Sequence, residues 1–276
     1  MKIFKVFLSA LLIILVAGNV FAQEDKLSKE YLQNNTHFSL FRPLAENIVK
    51  KNIKKSLKKE TGANFDVKFS GYSVSSMKKG IFKHLELSGN DIIYKAIPIP
   101  QVHLKSLTDY NYIDYKQDPI IFKSDMKFAY SLLLSDESMN AALEQGKYGN
   151  VIKSINRIAN PLFVVKKVRT KILSNRLYIV MDYNFPIVKS PKDKTFVMMS
   201  DITVENGKIK AKDVKIDSKY GNLGLEKVAN LINLLNPLEF TLDVLDTKQC
   251  QGNIENVKIV DNKIRVDGKI NIKGEE

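Results

Sequence analysis

The hydrophobic positions of the chain repeat with two periods, one close to four residues and the other of two. The four-residue period begins after Pro43, where apolar side chains recur at every fourth position: Ala45, Val49, Ile53 and Leu57. Proline suits the first turn of a helix, and a glycine such as Gly62 suits the position just after the last turn. We therefore predict an amphipathic helix that starts at Pro43 and ends before Gly62.

The side of this predicted helix opposite the apolar row is basic. Its cations are Lys50, Lys51, Lys54, Lys55, Lys58 and Lys59. Lysines in this arrangement suit contact with the anionic headgroups of a membrane surface, and we assign a headgroup-binding role to all six. The alternative is a solvated face that only covers a core-facing stripe.

From Phe65 onward the period is two, which is typical of strands. The clearest case is DMKFAYSLLL, in which one side carries Met126, Phe128, Tyr130, Leu132 and Leu134. The other side of this segment is mostly polar, and one dry face beside one wet face predicts an antiparallel sheet covered on a single side. Residues 97–104 also alternate, but Pro98 and Pro100 lack amide donors, so we expect an edge strand there.

Further elements follow in the second half of the chain. Ser135 is a candidate N-cap for a short helix. The predicted strands after it are FVVKKVRTKI, RLYIVMDY, TFVMMSDITV, KIKAKDVKID, NVKIV and KIRVDGKINI. Asn206-Gly207 and Asp261-Asn262 separate two pairs of these strands and predict tight hairpin turns. The mixture of helices and antiparallel strands predicts an α+β fold.

Two predicted helices stop at prolines, Pro161 and Pro237, and strands follow each of them. Superposing the two prolines also superposes the apolar positions of the two helices. We predict an internal pseudo-repeat, at about residues 150–190 and 225–273, whose helices share one enclosed apolar interior. The alternative is coincidence, because Asn-Pro commonly follows the end of a helix.

The N-terminus has the pattern of a secretory signal peptide. Lys2 and Lys5 precede an apolar run of twelve residues that ends at Ala17, and Ala22 closes a small-residue cleavage pattern. An uncleaved anchor is the alternative, but a membrane-spanning helix needs roughly 20 apolar residues. We therefore expect a signal peptide at 1–22, a polar lead-in at 23–42 and a single domain at 43–276, in a periplasmic or secreted protein.

Charge and chemistry narrow the function. The net charge is +13, and it falls to +11 without Lys2 and Lys5. A basic surface attracts lipid headgroups, nucleic acid or acidic glycans, unless it only reflects a lysine-rich and asparagine-rich composition. Export and the lack of nucleic-acid-binding motifs argue against nucleic acid as the partner.

Cys250 is the only cysteine, so no intramolecular disulfide can form. No nucleophile, metal-ligand or phosphate-loop motif is present, so we predict no enzyme, metal or cofactor.

Between Met77 and Lys273 the order of elements resembles the LmeA-type phospholipid-binding proteins of bacterial envelopes. The segments that carry the resemblance are MKKGIFKHLELSG, SDESMNAALE, NLLNPLEF and NVKIVDNKIRVDGKINI. The resemblance implies a secreted or periplasmic protein with an elongated, tubular lipid-binding fold, in which a curved antiparallel sheet wraps around helices. It also implies affinity for phospholipid and brings no catalytic motif. The abundance of lysine and asparagine departs from the family and leaves headgroup preference open.

A curved sheet with too few helices to fill it would leave an apolar trough. We expect this trough to bind lipid through Met126, Phe128, Tyr130, Leu132, Met181, Met198, Leu231 and Leu235, and Met199 offers further pliable lining. The alternative is that these side chains pack on the helices. The expected function is binding, presentation or transfer of envelope phospholipid. The alternatives are a non-catalytic accessory protein that docks an envelope enzyme through its basic face, and a hydrolase with an unrecognised site.

Overall fold

The computed structural model describes residues 28–34, 41–94, 96–114, 121–144, 149–150, 152–153, 156–157, 164–184, 194–217 and 250–275. The predicted signal peptide, both prolines of the pseudo-repeat, and Leu231 and Leu235 lie outside these residues. The pseudo-repeat therefore stays a prediction.

Residues 149–150, 152–153 and 156–157 are helical, and four further helices are described from end to end. They are α1 (Lys29–Asn34), α2 (Arg42–Thr61), α3 (Val74–Lys78) and α4 (Asp136–Leu143). In α2, proline occupies the first turn, and Gly62 ends the helix with a φ of 72° while its amide donates to the Lys58 carbonyl. The predicted amphipathic helix is thus confirmed. Reciprocal hydrogen bonds between Ser135 and Ser138 cap the start of α4, as expected from Ser135.

The helix α1 lies inside the segment predicted as a polar lead-in. Its Leu32 is 2% exposed and packs with Ile81. Gln33 also donates to both carboxylate oxygens of Asp109 at 2.9 Å. These contacts attach part of the lead-in to the folded domain. The sequence pattern did not predict this attachment, because one leucine in a polar stretch carries no period.

Six strands form the larger sheet, and every neighbouring pair is antiparallel. They are β1 (Phe65–Ser70), β3 (His84–Tyr94), β4 (Ile97–Ser106), β7 (Met126–Leu134), β12 (Cys250–Val260) and β13 (Lys263–Ile272), in the order β1-β3-β4-β7-β13-β12. Phe65, Val67 and Phe69 are buried in β1, and their polar neighbours Asp66 and Lys68 are exposed, as the period of two predicts.

The second sheet has four antiparallel strands. They are β8 (Val164–Leu173), β9 (Arg176–Asn184), β10 (Lys194–Glu205) and β11 (Lys208–Asp217), in the order β11-β10-β9-β8. The turn Asn206-Gly207 joins β10 to β11, and both of its residues have positive φ, as the hairpin prediction requires. A small third sheet contains β2 (Ile81–Phe82), β5 (Asn111–Asp114) and β6 (Ile121–Phe122).

The position of β4 corrects one expectation. Its prolines predicted an edge strand, but β4 lies inside the six-stranded sheet, between β3 and β7. The pairing registers explain the difference. Only Gln101–Ser106 of β4 pairs with β7, whereas Pro98 and Pro100 lie in the part of the strand that precedes this ladder. The prolines therefore leave the ladder with β7 intact while the strand remains internal.

The two larger sheets share one hydrophobic core. Buried apolar residues of both sheets, of α2 and of α4 belong to a single cluster. The helix α2 packs on β1 and β3, α4 lies against β4 and β7 on one side and β8 on the other, and β12 approaches β10 and β11. At the hairpin tips, the Asn175 amide donates to the Asn262 side chain and the Asn262 amide donates to the Asn175 side chain, both at 3.3 Å. The architecture is α+β with mostly antiparallel strands.

Candidate functional site

The apolar row predicted on β7 faces the core of the protein. Met126, Phe128 and Tyr130 are buried on the core side of β7, and Lys127 is exposed on the other side. Leu132 is only partly buried, although it packs against the same cluster. It is therefore a less central member of the predicted lining than its three neighbours.

The packing beside Tyr130 depends on a glycine. Gly268 of β13 lies directly opposite Tyr130 in the antiparallel ladder. A Cβ atom at this position would lie 2.7 Å from the Tyr130 hydroxyl and would also collide with the Asn253 carbonyl oxygen. The tyrosine ring therefore occupies the space that any side chain at position 268 would need, and β12 approaches β13 closely at this point.

The four-stranded sheet contributes the methionines. Met181 on β9 lies opposite Phe196 on β10, and Met198 lies opposite Ile179, and all four side chains are buried. The expectation that Met199 joins this lining was wrong. Met199 follows the buried Met198 on β10, and successive side chains of a strand point to opposite faces. It is only partly buried, and its sulfur accepts a hydrogen bond from Arg176 on the far side of the sheet.

Two buried hydroxyls interrupt this otherwise apolar face. Thr170 and Ser200 are each 3% exposed. The Thr170 hydroxyl donates to the Asn140 side chain at 3.2 Å. Among the described residues, the Ser200 hydroxyl has no hydrogen-bond partner. A buried hydroxyl is costly in an apolar interior when it has no hydrogen-bond partner.

Two asparagine side chains hold the edge strand β8. Asn140 of α4 accepts from the Thr170 amide at 2.7 Å and donates to the Thr170 carbonyl at 3.0 Å. Asn156 makes the same pair of bonds with Val165, at 2.7 Å and 2.9 Å. Each side-chain amide thus bonds to the backbone N–H and C=O of one residue at the strand edge, as the backbone of a neighbouring strand would. Sequence reasoning missed both residues, because an asparagine after a helix start carries no signal of its distant partner.

Where the two sheets approach each other, apolar side chains are partly accessible. We call this junction the seam. Its members are Ile202 and Val204 of β10, Ala211 and Val214 of β11, and Ile254 and Ile259 of β12. They pack against the common core but are less buried than the inner residues of β7, β9 and β13. The seam is therefore the partly accessible rim of the core between the two sheets.

The basic helix α2 separates its two sides as predicted. Val49, Ile53 and Leu57 are buried. Of the six lysines assigned to headgroups, Lys50 is partly buried and the other five are exposed: Lys51, Lys54, Lys55, Lys58 and Lys59. Lys54 forms an ion pair with Asp66 of β1 at 3.5 Å. The structure therefore presents most of this charge to the surroundings of the protein.

The outer face of the six-stranded sheet carries a polar network. Lys68 donates to Glu86 at 2.8 Å, His84 lies 3.7 Å from the same carboxylate, and the Ser88 hydroxyl lies 2.8 Å from Nδ1 of His103. The hydrogen bond from Lys68 lowers the pKa of Glu86, and the same bond raises the pKa of Lys68. Among the described residues, no group of three or more His, Cys, Asp or Glu side chains is placed to hold a metal ion.

Comparisons with protein-family models, with curated proteins and with solved structures find no match to this chain. Within the described part of the chain, no helix combines the length and the apolar character needed to cross a membrane. The resemblance to the LmeA-type proteins stays a prediction that rests on the sequence segments given above.

Proposed function

We propose that the protein is an exported phospholipid-binding protein that presents or transfers envelope lipid. In this proposal the strands curve around the helices and leave an elongated apolar trough, and the acyl chains lie against the buried methionine and aromatic side chains of β7, β9 and β10. The seam is the observation that carries the proposal. Its half-buried apolar side chains lie at the rim of the core, and in this proposal they form the path by which the ligand enters.

The energetics favour exchange of lipid over permanent storage. Burial of a sixteen-carbon acyl chain from water gains on the order of 10 kcal/mol, at about 0.8 kcal/mol for each methylene. Transfer of the same chain from a bilayer gains almost nothing, because the bilayer interior is equally apolar. A protein of this kind would therefore equilibrate lipid with membranes. The flexible methionines Met181 and Met198 suit chains of differing shape.

Export is part of the proposal and has its own test. Cleavage after Ala22 would give a mature protein that begins at Gln23. Intact mass measurement of the protein from fractionated cells would show this N-terminus, in the periplasm or the medium. An intact Met1 in the membrane fraction would contradict export by cleavage.

Native mass spectrometry of the protein isolated from its own envelope tests lipid binding. We expect co-purifying phospholipid. A protein without lipid but with a stable protein partner would support the second candidate, an accessory protein that docks an envelope enzyme. The exposed lysines of α2 are the observation that favours this second candidate.

A pair of variants tests whether lipid enters at the seam. Val204 belongs to the seam, whereas its neighbour Thr203 points to the opposite face of β10 and pairs with Lys210. We expect Val204→Glu to lose bound phospholipid, because an acyl chain at this position would remove water from the carboxylate without giving it a partner. Thr203→Glu is the matched control and should retain it. Equal lipid content in both variants, with both proteins folded, would remove the seam from the lipid path.

A further inference from the structure

We propose that one flank of α2 is a membrane-docking edge, in which Phe41, Leu44 and Ile48 insert among the lipids and Lys51, Lys55 and Lys59 bind anionic headgroups. The occupant of this edge is the surface of an anionic phospholipid membrane. The inference rests on the proposed function, because a protein that exchanges lipid must meet the membrane. It goes further by naming the surface that does so.

Three large apolar side chains of the edge are exposed to water, which is unfavourable for them. Phe41 is 70% exposed, Leu44 60% and Ile48 61%. Phe41 directly precedes α2, Leu44 and Ile48 lie in its first two turns, and the latter two are one turn apart on the same side. Single exposed apolar residues are common on protein surfaces, but three neighbours on one flank form a patch that suits an apolar environment.

Helix geometry places three of the six lysines on the same flank. With 3.6 residues per turn, the six edge residues fall within a sector of about 80° around the helix axis. Lys51 follows Ile48 by three positions, and Lys55 and Lys59 follow at intervals of four. The flank is therefore apolar in its first two turns and basic in its later turns, and all three lysines are exposed.

The remaining lysines form a second row with different surroundings. Lys50, Lys54 and Lys58 lie in the adjoining sector of the helix, where Lys50 is partly buried and Lys54 is paired with Asp66 at 3.5 Å. In our proposal only the first row inserts beside apolar side chains, because no exposed apolar residue lies three or four positions before a lysine of the second row. The two rows carry the same number of charges, so they provide a matched comparison.

Charge and apolar surface together identify the occupant. The six edge positions include no acidic residue, and both acidic side chains of α2, Glu46 and Glu60, lie outside the sector. Glu46 instead accepts a hydrogen bond from the Gly71 amide at 3.1 Å. Apolar side chains that enter the acyl region beside lysines at headgroup level are the arrangement with which amphipathic helices bind anionic bilayers.

The test measures sedimentation with vesicles of phosphatidylcholine that contain phosphatidylglycerol. Replacement of Lys51, Lys55 and Lys59 by glutamine should weaken binding at least about ten-fold, because each lysine near an anionic surface strengthens binding about five-fold. The matched variant, with glutamine at Lys50, Lys54 and Lys58, should lose less than about three-fold. Equal losses from the two rows, or no loss from the first, would overturn the proposed edge.

A second variant separates insertion from charge. Leu44→Asn with Ile48→Asn should weaken vesicle binding and leave the thermal midpoint unchanged, because both side chains are already exposed. The difference in vesicle binding between this variant and the wild-type protein should remain at high salt, because salt weakens only the contribution of the lysines. Unchanged vesicle binding by this variant would overturn insertion.

Lipid content, measured in parallel, separates this inference from the proposed function. Variants that lose vesicle binding but keep co-purified phospholipid support the edge. If the wild-type protein contains no lipid and still docks through this flank, the proposed function fails while the edge stands. If the protein contains lipid and the edge variants dock normally, the edge fails while the proposed function stands.

Discussion

The six-stranded and four-stranded sheets both turn an apolar face toward the common core, but they bury that face to different degrees. On the six-stranded sheet the inner side chains of β3, β4 and β13 are buried, and α2 and α4 pack on that sheet. On the four-stranded sheet burial is high at β8 and β9 and declines through β10 to β11, where Val204 and Val214 are only partly buried.

The inner face of the four-stranded sheet includes Ser200, whose buried hydroxyl has no partner among the described residues. Its methionines adapt their shape more readily than the branched side chains of β13, Ile264 and Val266. Burial declines toward the seam in both sheets, since Ile254 and Ile259 of β12 are also only partly buried, and the decline extends further in the four-stranded sheet.

The largest loss of stability is expected from a cavity in the core of the six-stranded sheet. Leu87 of β3 is 1% exposed and lies between Val67 and Leu104 in the ladders. Leu87→Ala should lower the free energy of unfolding by roughly 2 to 5 kcal/mol, because the cavity has no other occupant. Denaturant unfolding should give the same loss with and without lipid. Asn90→Ala, at an exposed position of the same strand, is the control and should change little.

The next effect tests whether the four-stranded sheet meets lipid. Met198 is 4% exposed. In the delipidated protein, Met198→Ala should cost roughly 2 to 5 kcal/mol, as in any packed core. With phospholipid bound, an acyl chain can move into the space, so the loss should lie well below that range. Unfolding midpoints in the two states decide the question.

Met199→Ala is the control for this measurement, because its side chain lies on the far face of the same strand. It should respond equally little in both states. A loss at Met198 that is core-sized and the same with and without lipid would make the two sheets equivalent and would place Met198 in a solid core. Met198 is a sharper probe than Leu132, which is only partly buried.

The spacing of apolar residues was sufficient to predict which faces of β7 and α2 turn toward the core, because it depends only on local geometry, although Leu132 of β7 is only partly buried. It correctly assigned Met126 and Phe128 to the core side of β7 and Val49 to the core side of α2. The turn Asp261-Asn262 was equally predictable, since both residues adopt the positive φ that asparagine and aspartate tolerate.

Pairing between distant strands could not be predicted from such local rules. The ladder that joins Met126 to Ile272 is an example, and the division into two sheets depends on such ladders. The bonds from Asn140 to Thr170 connect residues thirty positions apart and leave no pattern in the sequence. By contrast, the exposed Leu44 and Ile48 could have been found, because they fall outside the apolar row of the predicted helix.

A smaller effect concerns the attachment of the four-stranded sheet to α4. Asn140→Ala removes two hydrogen bonds from the Thr170 backbone, at the edge strand β8. The loss should be roughly 1 to 3 kcal/mol, the cost of leaving a buried polar group without its partner. Asn140→Asp keeps the acceptor for the Thr170 amide but places an oxygen against the Thr170 carbonyl oxygen, so it should also release β8. Faster hydrogen exchange at β8 than at β13 would show that the edge strand alone is released.

The smallest effect concerns the outer faces, where both sheets carry cross-strand ion pairs: Lys68 with Glu86 on the six-stranded sheet and Arg169 with Asp182 on the four-stranded sheet. The hydrogen bond from Lys68 holds the pKa of Glu86 below its ordinary value. The folded protein therefore binds fewer protons at this site than the unfolded chain does, and the pair adds stability above the ordinary carboxylate pKa of about 4.3. That contribution should disappear as the pH falls through the lowered pKa of folded Glu86.

Glu86→Gln should thus be slightly less stable than the wild type at neutral pH. The difference in the free energy of unfolding should vanish in acid and become smaller at high salt. A difference that stays constant from neutral pH into strong acid would show that Glu86 acts through packing or neutral hydrogen bonds rather than through its charge.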